Sequence, residues 1–82
     1  MDPVDAAEIE AFGFRLRCAR EAKDWTIEHL AKKAAVGVAT VSRHELGEGG
    51  CGVTILLRYC RVLDTTPNAL LGWKEKHGTR PV

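Results

Sequence analysis

No run of this sequence is apolar and uncharged for long enough to cross a membrane, and no cleavable signal stands at its start. A soluble, cytoplasmic chain is therefore expected. Metal-ligand spacings are missing as well. His29, His44 and His77 stand apart, and neither Cys-x-x-Cys nor His-Glu-x-x-His occurs, which argues against a zinc site. The three cysteines, Cys18, Cys51 and Cys60, cannot all pair. Cys18 and Cys60 fall on apolar helical faces, so a reducing compartment with buried thiols acting as small hydrophobes is expected. The glycine-rich stretch Gly47 to Gly52 lacks a following Gly-Lys-Ser/Thr and a preceding strand, which excludes a nucleotide loop. A nucleophilic pair such as Cys18 with a histidine needs a concave pocket, which a helical bundle of this size is poorly able to provide. Neither an enzyme nor a cofactor is expected.

What is present fits one small all-α domain of 82 residues, 45% of them hydrophobic and 28% charged. The net charge of +1 hides a division along the chain. Residues 1–14 hold four acids and no bases, whereas residues 15–43 hold seven bases against three acids. That cationic band has the sign required by a polyanionic partner.

Five helices are predicted. The first starts near Asp5, where Asp5 and Glu8 form a capping pattern, and Ile9, Phe12, Leu16 and Ala19 supply its core stripe. Gly13 inside it permits a close helix approach, Arg15, Arg17 and Arg20 lie on its remaining surface, and Lys23-Asp24 mark its end. Thr26 caps a second helix whose Ile27, Leu30, Ala31 and Ala34 recur at the helical period. The pattern breaks at Ala35-Val36-Gly37, where Gly37 can take backbone angles closed to most residues. A third helix follows, about residues 38–45, with Val38, Val41 and, less comfortably, His44 on one face. Ala39, Thr40, Ser42 and Arg43 lie on the other. Two such helices joined by a turn of about three to four residues form a helix-turn-helix, whose second helix can enter a DNA major groove.

After the glycine loop, Val53, Leu56, Leu57, Cys60 and Leu63 give a fourth helix its core face. The loop amides, with those of Val53 and Thr54, suit either a DNA phosphate or a plain connector. Thr66 and Pro67 open a short fifth helix that ends at Gly72. The domain is expected to span residues 1–73, leaving 74–82, with Lys74, Lys76, His77 and Arg80, as a basic disordered tail.

From Trp25 to Gly47 the chain resembles the helix-turn-helix of the lambda-type phage repressor and Cro-like family, the xenobiotic-response-element family of bacterial regulators. The usual run there is L-S-Q-E-E-L-A-x-K-A-G-V-S-x-x-T-I-S-R-I-E-N-G. Thr26, Glu28, Leu30, Ala31, Lys33, Ala34, Val36, Thr40, Val41, Ser42, Arg43, Glu45 and Gly47 stand at matching or near-matching positions. The similarity extends without gaps over roughly Phe12 to Trp73.

The resemblance implies a compact five-helix, lambda-repressor-like DNA-binding domain. It implies a sequence-specific transcriptional regulator that reads the major groove with the third helix, as a homodimer on a two-fold operator. Its DNA-binding residues would be Thr26, Ile27, Gly37, Val38, Ala39, Thr40, Ser42 and Arg43. Arg20 and Glu45 would form a partly buried salt bridge locking the first helix to the motif. Thr26 and the amides opening the second helix would meet a phosphate. Arg43 would reach a guanine edge or a phosphate, and Val38 and Ala39 can pack on thymine methyl groups.

Departures from the family run are clear. Ile27 replaces a phosphate-binding Gln, Leu46 replaces an Asn, and Glu48-Gly49-Gly50-Cys51 lacks the usual lysines, so one domain alone should bind weakly. Ile55 and Val62, seven residues apart on the fourth helix, with Leu70, Leu71 and Trp73, could form a self-complementary dimer patch. The alternative is a protein-binding module, antitoxin-like or an adaptor for a toxin or polymerase, that turns its apolar third helix toward a protein.

Overall fold

The computed structural model describes residues 3–73, all of whose regular structure is helical. The helices are α1 (Pro3–Glu21), α2 (Ile27–Ala34), α3 (Val38–Glu45), α4 (Val53–Leu63) and α5 (Pro67–Leu71). The long α1 packs against α3 and α5, α2 lies against α3 and α4, and α4 meets α5. This is the all-α, five-helix arrangement expected, with α2 and α3 as the helix-turn-helix. Residues 74–82, read above as a basic tail, lie outside the described residues.

Local chemistry explains most of the boundaries. The Thr26 hydroxyl accepts the His29 amide at 3.0 Å and the Thr66 hydroxyl accepts the Ala69 amide at 3.1 Å, so both helices start on side-chain caps. Helix α1 begins at Pro3 rather than at Asp5, which places Asp5 in its first turn, where a negative charge suits the helix dipole.

The turn between α2 and α3 works differently from the expectation. Its left-handed residue is Ala35 (φ 58°), whereas Gly37 is extended at φ −67°, ψ 148° and serves as the N-cap of α3. The cause is the helix-ending bond from the Val36 amide to the Ala31 carbonyl, 2.9 Å long. That bond demands the left-handed conformation one residue after the last helical one, whatever its side chain.

The core consists of Phe12, Leu16, Leu30, Ala31, Ala34, Val41, Tyr59, Cys60, Leu63 and Leu70. Ala31 and Ala34 are small where α2 meets its neighbours, as the pattern required. Four expectations need correction. Cys18 is exposed, so only Cys60 is a fully buried thiol, with Cys51 half-buried. Val38 is 45% exposed and does not share the buried face of Val41. On α4, Val53 (73%) and Leu57 (47%) face outward while Tyr59 is completely buried. The buried row is thus Tyr59, Cys60 and Leu63, with the Tyr59 hydroxyl meeting His44 of α3. Leu70 is only 2% exposed, and Ile55 and Val62 pack against the core. Of the five residues in the expected dimer patch, only Leu71 and Trp73 remain on the surface.

Two features fix α1 to the end of α3. At Gly13 a Cβ would collide with the His44 carbonyl oxygen and lie 2.8 Å from that of Glu45, so only glycine allows this approach. Two helical turns later, Arg20 grips Glu45: Nε donates to Oε2 at 2.7 Å and Nη2 to Oε1 at 3.0 Å. Its remaining nitrogen, Nη1, donates to the Trp25 carbonyl at 2.7 Å. Both charged side chains are nearly inaccessible to water (10% and 5%). Replacing Glu45 by Ala strands the guanidinium, with an expected loss of about 3–5 kcal/mol. A small domain holds only about 5–15 kcal/mol in total. A denaturant melt of Glu45→Ala should therefore show a protein close to unfolded, and a midpoint near that of wild type would contradict the buried pair.

Candidate nucleic-acid interface

Helix α3 owes its two faces to alternation at helical spacing. Val41 and His44 point into the core, at 0% and 6% exposure. Val38, Ala39 and Arg43 face solvent, followed by Leu46 just past the helix end, at 65% exposure. Thr40 and Ser42 are half-buried. Of the residues expected to bind DNA, the structure therefore gathers Val38, Ala39 and Arg43 on one open surface, with Ser42 at its edge.

Helix α2 contributes an end rather than a face. Because the Thr26 hydroxyl is used as the cap, its role there is to hold the helix start. The amides of Ile27 and Glu28, which have no acceptor within the helix, are what an incoming phosphate would meet. Gly37 provides no side-chain cap for α3, so the opening amides of that helix are likewise not engaged by a capping side chain. The same holds for Gly52 at the start of α4. In the loop before α4, Gly47 (φ 74°) lies so close to Glu10 that a Cβ would come within 2.9 Å of the Glu10 Cα. Gly49 and Gly52 face open space.

The cations divide into engaged and available. Arg15 packs its guanidinium on Gly72 at the end of α5. Arg58 donates to the Ala35 carbonyl at 3.3 Å and so ties α4 to the turn. Lys23 and Lys33 lie 5.5 and 6.0 Å from the Trp25 ring. Among the described residues no ion pair engages the exposed Arg43. Sequence reasoning missed Arg17. It lines a cleft of about 190 Å³ with Arg20, Ile27, Ser42, Glu45 and Leu46, which brings a second cation to the C-terminal end of α3. Arg17 also pairs with Glu21 at 3.0 Å, an exposed one-turn contact that a phosphate can readily replace. Its only sequence signal was its place in the cationic band.

The second residue missed was Tyr59. Its hydroxyl and His44 Nδ1 lie 2.7 Å apart in a buried hydrogen bond, whose direction follows the imidazole tautomer. The rings meet edge to face at 5.8 Å. Burial, assisted by the nearby Arg43 charge, lowers the His44 pKa below its usual value. Burial raises the Tyr59 pKa well above that of a free phenol. Burial also raises the Cys51 and Cys60 thiols, which stay protonated. Among the described residues no cluster of three or more His, Cys, Asp or Glu side chains is placed to hold a metal ion. No helix there is long and apolar enough to cross a membrane.

Helix α3 is thus held from behind by buried contacts, the Glu45–Arg20 pair among them, and presents an open front with one cation, Arg43. The chain belongs to the helix-turn-helix domain family, whose model matches residues 11–71, and is thus a DNA-binding domain of the regulator class. Among solved structures it is similar to the restriction-modification controller protein C.AhdI from Aeromonas hydrophila. The two are 31% identical with a TM-score of 0.75, and the match covers 78% of this chain and 97% of that one. No curated protein matches the chain.

The burial of His44 makes stability depend on pH. A base whose folded pKa lies below its unfolded value gives the folded state its full benefit above about 6.5. That benefit is lost as pH falls through the folded pKa, because the unfolded chain takes up the proton first. Unfolding free energy measured from pH 7.5 to 5 should decline for the wild type. For His44→Gln, which keeps a hydrogen-bonding group but cannot titrate, the decline over that range should be smaller.

Proposed function

We propose that this chain is a sequence-specific transcriptional regulator that reads the DNA major groove with α3 and binds a two-fold operator as a homodimer. The observation that carries the reading is the exposed row Val38, Ala39, Arg43 on a helix whose other side is locked into the core. The amide end of α2 would meet one phosphate, and Arg17 at the far end of α3 another. The likeness to a restriction-modification controller protein over nearly that protein's full length supports a controller-type role, exercised in the cytoplasm where the DNA lies.

A single recognition helix covers only a few base pairs, so specificity requires two, about 34 Å apart on one face of the duplex. Leu71 and Trp73, with the outward Val53 and Leu57 of α4, supply exposed apolar surface for such pairing. Sedimentation should show a dimer on operator DNA, and a monomer both free and bound would rule the pairing out. The exposed apolar side chains of Val38 and Leu46 favour a second reading, in which α3 grips a protein partner instead.

Arg43→Ala separates the two. On an operator obtained by selecting bound fragments, it should cost about 1–3 kcal/mol of binding. A lost base contact relaxes preference at one position in each half-site. A lost phosphate contact weakens all sequences alike and flattens the salt slope by about one unit. Removing residues 74–82 should matter much less and without sequence dependence. If folded Arg43→Ala binds the operator as tightly as wild type, groove reading fails and the protein-binding reading takes its place.

A further inference from the structure

The face of α3 that would enter the groove has almost no hydrogen-bonding capacity. Its exposed side chains are Val38, Ala39 and Arg43, with Leu46 beyond the helix end. Thr40 is half-buried and its hydroxyl turns back toward Gly37, whose Cβ position lies 3.6 Å away. Ser42 is half-buried in the cleft beside Arg20 and Glu45. The donor and acceptor pattern of the base edges can be read at full length only by Arg43. What remains for Val38 and Ala39 is the one apolar group that a base edge presents in the major groove, the C5-methyl of thymine. Cytosine lacks this methyl, whereas 5-methylcytosine carries it at the same ring position.

We propose that, if α3 reads the groove as above, Val38 and Ala39 make it a reader of C5-methylated pyrimidines, so that operator affinity follows the presence of that methyl on thymine or on cytosine alike. Ala39 and Arg43 are one helical turn apart, about 5–6 Å between their Cβ atoms. Base pairs stack at about 3.4 Å. Where Arg43 takes a guanine edge rather than a phosphate, that guanine and the methyl lie within a few base pairs of each other in the same half-site. Each methyl removed from water against these side chains should contribute about a four-fold gain in affinity, the equivalent of about 0.8 kcal/mol.

The test uses the full chain and synthetic duplexes of the selected operator. Uracil is placed for thymine one position at a time, and at the responsive positions a cytosine–guanine pair is compared with and without the C5-methyl. Uracil should weaken binding about four-fold at one or two thymines per half-site, and methylated cytosine should bind more tightly than unmethylated by a similar factor. A Val38→Ser, Ala39→Ser variant, changed only at exposed positions, should lose both distinctions while keeping its dependence on Arg43. Uracil tolerated at every thymine, or a serine variant that still distinguishes the methyl, overturns the proposal. If Arg43→Ala weakens binding while uracil is tolerated, groove reading stands and methyl reading alone falls. If no sequence is selected at all, both fall together.

Discussion

One guanidinium ties together the three parts of the chain that must be in register. Arg20 reaches from α1 to the carboxylate at the end of α3 and to the carbonyl just before α2. Burying two opposite charges is costly, and the cost is offset because each of the three guanidinium nitrogens donates to an oxygen. Such a pair contributes orientation more than net stability. It fixes how α3 sits against α1, the same pair of helices between which Gly13 has removed the side chain that would hold the backbones apart.

The rest of the core can then be small. Helices α2 and α3 have only eight residues each, too few to be stable alone. They persist because α2 has a side-chain cap, its last turn closes on Ala35, and Ala31 and Ala34 let it pack closely. The polar contact between His44 and Tyr59 sits in the middle of this arrangement. A large apolar residue there would carry no charge at any pH, whereas burial of the imidazole disfavours its protonated form.

Much of this was legible in the residues. The cap at Thr26, the bounds of α3 and α5, the close approach at Gly13 and the Arg20–Glu45 pair all follow from local patterns or from the family run. What was not legible depends on a partner from elsewhere in the chain. Tyr59 falls outside the apolar row read for α4, and its place inside shows only once His44 stands opposite its hydroxyl, while Val53 and Leu57 face outward. Leu70 looks available for pairing until the fold puts it inside. The left-handed angle was assigned to Gly37 because glycine adopts it freely, but the hydrogen bond that ends α2 imposes it on Ala35. Arg17 became interesting only when α1 was seen to run past the end of α3.

The two-faced construction of α3 separates two kinds of constraint within eight residues. Val41 is buried in the core, His44 is held by Tyr59 of α4 and Glu45 by Arg20 of α1, whereas Val38, Ala39 and Arg43 face solvent. Exchange at the outward positions can proceed without disturbing the scaffold, and exchange at the inward ones cannot. Such a helix is a replaceable face on a fixed body: its three outward side chains can change while the contacts that hold α3 in place stay the same.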